Sequence, residues 1–308
     1  MNAVAKPMIP APEGALRGDL RYNEALAPYT TWRVGGPARQ LYRPADLVDL
    51  ALFLKGLPVD EPLLWLGLGS NLLVRDGGFA GTAIMTSGVL GGLTMAEPGR
   101  IEAGAGIACN KLARFSVRNG LCGGEFLAGI PGTLGGALAM NAGAWGGETW
   151  GLVDTVETID RRGELRNRNT REFEVGYRSV NVPEGEWFVS AQLQFADRRQ
   201  TPEEGQAKIK TWLAERAASQ PTGVASAGSV FRNPPGDHAA RLIDTCGLKG
   251  LRRGGAQVSE RHANFFINTG DATAADVEGL IDEVIAIVER EQAIRLQPEV
   301  RMVGEWKI

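Results

Sequence analysis

Apolar positions along the chain recur at two spacings, and the switches between them mark out elements. From Ala45 the run ADLVDLALFLK carries apolar side chains at helical spacing and stops at Gly56, which predicts a helix with Asp46 as its cap. PLLWLGLGSNLLV then reads as an apolar strand, a glycine turn and a second strand; RDGG at 75–78 reads as a turn and GTAIMTS as another strand. RIEAGAGI at 100–107 predicts a strand entering a helix through a glycine-rich turn, and that helix, CNKLARFSVRNG, closes on Gly120. A further strand-to-helix junction is expected at 128–141, AGIPGTLGGALAMN.

Beyond Trp150 the spacing shortens. VDTVETID, the turn RRGE, then FEVGYR and WFVSAQLQF predict antiparallel strands joined by polar turns. TPEEGQAKIKTWLAERAASQ predicts a helix with Thr201 as cap and Pro202 in its first position, ending before Pro221 at a natural domain boundary. The last hundred residues predict a short helix near RLIDTCG, strands around GGAQVS and ANFFIN, a long helix over DATAADVEGLIDEVIAIVEREQAI and a closing strand, IRLQPEVRMVG. This order describes a glycine-rich α+β ligand domain followed by a smaller α+β domain.

Composition narrows the classes. With 308 residues, 44% hydrophobic and 22% charged, the chain is long enough for two or three packed units. A net charge of -3 gives no nucleic-acid footprint. The opening residues MNAVAKPMIPAPEGALRG hold three prolines and lack the apolar run of a signal peptide, so 1–19 reads as a loose tail. Every later apolar run is cut by charge, Gly or Pro, so no membrane partner is expected and the location expected is cytoplasmic. Cys109, Cys122 and Cys246 make neither an even set nor a close pair, and only His238 and His262 could join them, so no metal site is expected. Glycine stands out: 41 residues, about twice the usual share, gathered in clusters that suggest close approach of backbone to a ligand.

Two clusters carry candidate chemistry. Gly67-Leu68-Gly69-Ser70-Asn71-Leu72 and Gly129-Ile130-Pro131-Gly132-Thr133-Leu134-Gly135-Gly136 can turn successive N–H groups toward an anion, with donors added by Ser70, Asn71 and Thr133, and paired loops suit a pyrophosphate. No G-K-[ST] follows either, which excludes a Walker loop, and Leu72 stands where a dinucleotide fingerprint needs its third glycine. Structural turns alone would explain either loop; the pair, together with MNAGAWG at 140–146, favours phosphate. A third candidate is Ser229 in AGSVFRNP. A serine on a glycine turn reads as a nucleophile or as a turn serine bonded to its own backbone, and Phe231 in place of a second glycine weakens the nucleophile reading.

Seven stretches in fixed order resemble the UDP-N-acetylenolpyruvoylglucosamine reductase family from about residue 20 to the end: TTWRVGG at 30–36, LGLGSNLLVRDGGFAG at 66–81, GEFLAGIPGTLGGALAMNAGAWGGE at 124–148, AGSVFRNP at 227–234, LIDTCGLKG at 242–250, GGAQVSERHANFFIN at 254–268 and LQPEVRMVG at 296–304. The resemblance implies an α+β fold: a two-subdomain FAD-binding flavoprotein fold of the vanillyl-alcohol oxidase type plus a C-terminal α+β substrate domain. The divisions expected are 20–88, 89–205 and 206–308. It implies non-covalent FAD, cradled by Gly67, Gly69, Ser70, Asn71, Leu72, Gly129, Ile130, Pro131, Gly132, Thr133, Gly135, Gly136, Asn141 and Gly143. Arg33 lies in the family's N-terminal motif, either touching FAD or bracing a turn.

The resemblance also implies a reaction: NADPH reduces the flavin, hydride passes to the enolpyruvyl methylene of UDP-N-acetylglucosamine enolpyruvate, and a proton goes to the adjacent carbon. Arg178 matches the arginine that stabilises the substrate carboxylate, Glu299 the glutamate beside the enolic intermediate and Ser229 the proton donor. Seen without the other motifs, Arg178 would be a surface arginine and Glu299 a strand glutamate paired with Arg301 or solvent. Asn233 and Lys249 match substrate contacts, and Arg232 stands where the family usually has lysine. Gln257 and His262 stay open between packing and ligand contact. About fifty residues between Arg178 and Ser229 fit the subclass without an inserted tyrosine-bearing loop. The readings that compete are a related FAD-dependent alcohol or sugar oxidase and a non-catalytic nucleotide-sugar binder.

Overall fold

The computed structural model describes residues 14–195 and 201–307; most of the expected tail, 1–13, lies outside them. The first unit holds β1 (Asp19–Ala25), β2 (Pro37–Arg43), α1 (Leu47–Lys55), β3 (Leu63–Leu66), β4 (Leu72–Val74) and β5 (Phe79–Met85). Its sheet runs β1-β2-β5-β3, with β5 parallel to both neighbours. Asp46 caps α1 by accepting the Asp49 N–H. The helix buries Leu50, Phe53 and Leu54, and Phe53 stacks on Tyr42 of β2 with centroids 3.7 Å apart. Strand β4 belongs to no part of this sheet.

The second unit comprises β6 (Leu93–Glu97), β7 (Arg100–Gly104), α2 (Cys109–Arg118), α3 (Leu134–Met140), β8 (Gly143–Ala144), β9 (Gly147–Glu148), β10 (Val153–Asp160), β11 (Leu165–Asn169), β12 (Glu174–Gly176), β13 (Ser179–Asn181), β14 (Glu186–Gln194) and α4 (Pro202–Ser219). Its antiparallel sheet is ordered β11-β10-β14-β7-β6. Helix α2 ends as expected on Gly120, whose φ of +72° lets the Gly120 and Leu121 N–H groups reach back to the Val117 and Ser116 carbonyls. Three expectations need correction. Residues 128–133 form no strand: a 3-10 turn, Glu125–Gly129, leads into α3 with one bridge between Ala108 and Thr133, because glycine and Pro131 leave no continuous row to pair. FEVGYR contributes only Glu174–Gly176, hairpinned to β13 off the main sheet. The edge strand β11, LRNRN, falls where no strand is expected, because it carries no apolar alternation.

Helix α4 has its cap at Thr201 and a capping box with Glu204. It packs on α2 and the 3-10 turn, and its buried Ile209 lies in the core of the second unit. Trp212 of α4 stacks on Trp145, 5.0 Å between centroids and 6° between planes.

The third unit holds β15 (Ala225–Ser226), α5 (Ala239–Thr245), β16 (Arg252–Arg253), β17 (Ala256–Val258), β18 (Phe266–Asn268), α6 (Ala274–Gln292) and β19 (Arg301–Val303), with sheet order β15-β18-β17-β16. The apolar face of α6, Val277, Leu280, Ile281, Val284, Ile285 and Val288, fills its core. The closing strand is shorter than expected: Pro298 has no N–H to pair, and only Arg301–Val303 forms a ladder, parallel to β4 of the first unit.

That ladder is one of several ties between the chain's two ends. Trp32, Val34 and Leu73 lie inside the third unit's core, and Trp32 Nε1 donates to the Phe266 carbonyl at 2.7 Å. Arg75 donates to both oxygens of the buried Glu278 on α6. The Asp76 carboxylate accepts the Ala274 and Ala275 N–H groups at 3.0 and 2.9 Å, capping α6 from the first unit.

Candidate active site

Two cavities meet between the units. A narrow one of about 230 Å³ runs between the loop Gly67–Leu72 and the loop Ile130–Gly136; an open cleft of about 480 Å³ lies between the second unit, the end of α4 and the third. They share a wall made by Ile130, Pro131, Ala142, Gly228, Ser229 and Glu299.

The glycines of the narrow cavity are required by close approach. A Cβ on Gly67 would lie 2.5 Å from Thr133 Oγ1, the oxygen that caps α3 by accepting the Gly136 N–H. Gly69 has φ +62°, and a Cβ there would run into the Tyr29 carbonyl. Gly67, Gly69, Ser70, Asn71, Leu72, Gly132, Thr133 and Gly136 all face this cavity. One N–H of the Asn71 amide donates to the Glu299 carbonyl at 3.0 Å, so this side chain also ties the first glycine loop to the shared wall.

Other residues that the resemblance assigns to the cofactor lie elsewhere. Gly129 and Gly143 line the cleft. Gly135 packs against Ala105 and joins neither wall. Asn141 is 1% exposed, its amide bonded to Glu148, Gly176 and the Trp150 N–H. Arg33 is exposed with φ +58° and lines neither cavity.

Ser229 and Glu299 are set side by side by main-chain pairing. The Glu299 N–H donates to the Val230 carbonyl at 2.7 Å and the Arg232 N–H to the Gln297 carbonyl at 2.9 Å. Arg178 comes from a third direction, in the two-residue turn between β12 and β13, at φ +53°. That conformation is uncommon outside glycine and costs about 1 kcal/mol or more. Its Nη2 donates to the Gly143 carbonyl at 2.9 Å and its Nε stands 3.3 Å from Glu299 Oε1. Burial pushes the Glu299 carboxyl above its ordinary value; the guanidinium groups of Arg178 and Arg232 oppose this without cancelling it.

Among the residues expected to touch substrate, Asn233 lines the cleft, with Oδ1 accepting the Ala239 N–H. Lys249 pairs with Asp244 at 2.7 Å and lines neither cavity. Arg232 is also off both walls, and its buried Nε has no hydrogen-bond partner. Sequence reasoning missed Arg216 and Gln220 at the end of α4. Arg216 lines the cleft with no ion-pair partner among the described residues, burial pulling its pKa down, and the buried Gln220 Oε1 is unpartnered. Nothing local marks them out, since they read as the polar end of a surface helix. Among the described residues no group of His, Cys, Asp and Glu is gathered to hold a metal, and no helix is long and apolar enough to cross a membrane.

Two family models match the chain in sequence order. Residues 41–168 match the FAD binding domain model, and residues 220–303 match the model for the UDP-N-acetylenolpyruvoylglucosamine reductase C-terminal domain. A UDP-N-acetylenolpyruvoylglucosamine reductase from Alkalilimnicola ehrlichii is 60% identical over 288 residues, 94% of this chain and 96% of that protein. One from Methylococcus capsulatus is 57% identical over 94% of each chain. The crystal structure of the enzyme from Thermus caldophilus superposes with a TM-score of 0.76 at 34% identity, covering 94% of this chain and 99% of that one. With whole-chain relatives this similar and both domain models in sequence order, the chain belongs to the UDP-N-acetylenolpyruvoylglucosamine reductase family.

Proposed function

We propose that this protein reduces UDP-N-acetylglucosamine enolpyruvate to UDP-N-acetylmuramate, with FAD as non-covalent cofactor and NADPH as electron donor, in cytoplasmic peptidoglycan precursor synthesis. The observation that carries the reading is the shared wall: Ser229 and Glu299 face both the glycine-loop cavity and the open cleft. We take the substrate unit to begin near 220, where α4 ends, since the residue 206 expected from sequence lies inside a helix that packs on the second unit.

The lining of the narrow cavity suits the pyrophosphate of a dinucleotide cofactor. Its two facing loops are stripped of side chains where a Cβ would fill the gap, and Ser70 and Thr133 stand on its walls as polar partners. Gly67–Leu72 and Ile130–Gly136 would hold FAD, which when bound supplies the hydride. The residues of this chain then do three things. Arg178, anchored on the Gly143 carbonyl, offers parallel donors to the substrate carboxylate, where negative charge grows as the enol forms. Glu299, whose carboxyl is shifted upward by burial, stands beside the same region and in its protonated form donates a hydrogen bond to it. Ser229 gives its hydroxyl proton to the carbon next to the reduced methylene, and recovers one from water in the open cleft. Arg216, Gln220 and Asn233 line the cleft and would contact the sugar nucleotide, while Arg232 and Lys249, expected as substrate contacts, line neither cavity.

An anaerobic titration tests this reading. The purified yellow protein should bleach with NADPH and regain colour with UDP-N-acetylglucosamine enolpyruvate; a protein without flavin absorbance contradicts it. Ser229→Ala should bleach at nearly the parent rate and recolour slowly, and equal slowing of both steps makes Ser229 a structural serine.

A further inference from the structure

We infer that Asn264 is the positioning residue for Ser229: its buried carboxamide grips both main-chain polar groups of Phe231 and so fixes the segment that carries the serine. The inference rests on the proposed function, in which Ser229 delivers the proton.

Residues 230–232 are bonded through their main chain to a partner on each side. On one side lie 297–299, through the Glu299 and Arg232 main-chain bonds. On the other side no strand is present, and Asn264 takes its place. Its Oδ1 accepts the Phe231 N–H at 2.9 Å, its Nδ2 donates to the Phe231 carbonyl at 2.8 Å, and its own main-chain carbonyl accepts the Val230 N–H at 2.9 Å. The amide therefore acts as a one-residue strand, and only one of its two orientations satisfies both bonds. Asn264 is 3% exposed and Phe231 1%, so neither pair of groups has water as an alternative partner.

The amide is itself held by a tight loop. The Ser259 N–H donates to the Phe265 carbonyl at 2.8 Å, the Phe265 N–H to the His262 carbonyl at 3.0 Å and the Asn264 N–H to His262 Nδ1 at 3.3 Å. By contrast, a Cβ on Gly228 would meet nothing, the Gly228 N–H donates to the Ser70 carbonyl at 3.4 Å, longer than the bonds at 230–232, and Ser229 is only half-buried. The serine's aim is therefore fixed most firmly by its C-terminal neighbours, residues 230–232, which carry the shorter bonds. No histidine or carboxylate need touch the hydroxyl if the carbon it protonates is basic enough, but the hydroxyl must then point correctly, and a misplacement of about 1 Å costs roughly 100-fold in rate.

The test uses FAD-loaded enzyme in anaerobic stopped flow, with Asn264→Leu, Asn264→Asp, Ser229→Ala and the double variant Asn264→Leu/Ser229→Ala. Asn264→Leu keeps the volume and removes both bonds; Asn264→Asp keeps the acceptor for Phe231 N–H and removes the donor. We expect bleaching by NADPH within about twofold of the parent and recolouring by UDP-N-acetylglucosamine enolpyruvate slowed roughly 10- to 100-fold in Asn264→Leu, with Asn264→Asp between. The double variant should recolour no more slowly than Ser229→Ala alone, because a positioning residue has nothing to position once the hydroxyl is gone. Equal slowing of bleaching and recolouring, or losses that multiply in the double variant, overturns the inference. If Asn264→Leu does not fold, the same comparison is made with Asn264→Asp and its double variant. If Ser229→Ala itself recolours at the parent rate, the proton-donor reading of Ser229 falls first and takes this inference with it.

Discussion

Arg178 Nε stands 3.3 Å from Glu299 Oε1, yet the Glu299 carboxyl is shifted upward rather than downward. Burial is the larger influence, and the nearby guanidinium groups of Arg178 and Arg232 only moderate it. A carboxyl whose folded pKa is raised contributes stability that is fully present below its unfolded value and lost as pH rises through the folded value. Denaturant unfolding should therefore show the parent losing stability relative to Glu299→Gln as pH rises from the ordinary glutamate value of 4.5 through the raised folded value. In Arg178→Ala the Glu299 midpoint, followed by NMR of carboxyl-labelled glutamate, should move further up. Parallel stability curves for parent and Glu299→Gln would contradict the upward shift.

Gly67 and Thr133, both on the wall of the narrow cavity, pack so closely that no Cβ fits between them. Gly67→Ala should displace Thr133 from its capping bond and lower flavin content, measured as the ratio of visible to protein absorbance in the purified enzyme. Adding Thr133→Ala, which removes the clashing oxygen, should recover part of that content. Full flavin occupancy in Gly67→Ala would show that the loops tolerate a wider spacing.

Arg75 and Asp76 join the first unit to α6 through a buried carboxylate and a pair of helix N–H groups. Arg75→Ala leaves Glu278, 6% exposed, without its guanidinium and should cost about 3 kcal/mol in urea unfolding. Asp76→Ala should cost about 1 kcal/mol, as loss of a helix cap does. Hydrogen exchange should place the added opening in the first turns of α6. An unchanged α6 in both variants would mean that its own box, Thr273 and Asp276, is sufficient.

Helices were the most legible part of the chain. Asp46, Thr201 and Gly120 punctuate α1, α4 and α2 where the pattern places them, because a cap acts over three or four residues that are neighbours in sequence. The glycine loops were legible for the same reason: a residue without a Cβ records close approach even when the approaching partner is unknown. Strands were less legible. LRNRN at β11 has no apolar alternation, and the segment before Arg301 looks extended but meets a ladder only after Pro298.

The site was legible as a set of residue types and illegible as a place. Sequence named Arg178, Ser229 and Glu299 through their motifs, but each motif alone allowed a surface arginine, a turn serine and a paired glutamate. Their meeting is decided by the β4 and β19 ladder, by the Val230 and Glu299 main-chain bond and by the hairpin turn at Arg178. The same distant pairings bring the Asn141 amide to Glu148 and Gly176, the Asn71 amide to the Glu299 carbonyl and α4 onto the second unit. The sequence by itself determined the caps, turns and glycine gaps, since those depend on local backbone geometry. Only the tertiary structure decided which buried polar groups answer one another, because each must find its partner within about 3 Å regardless of how many residues lie between.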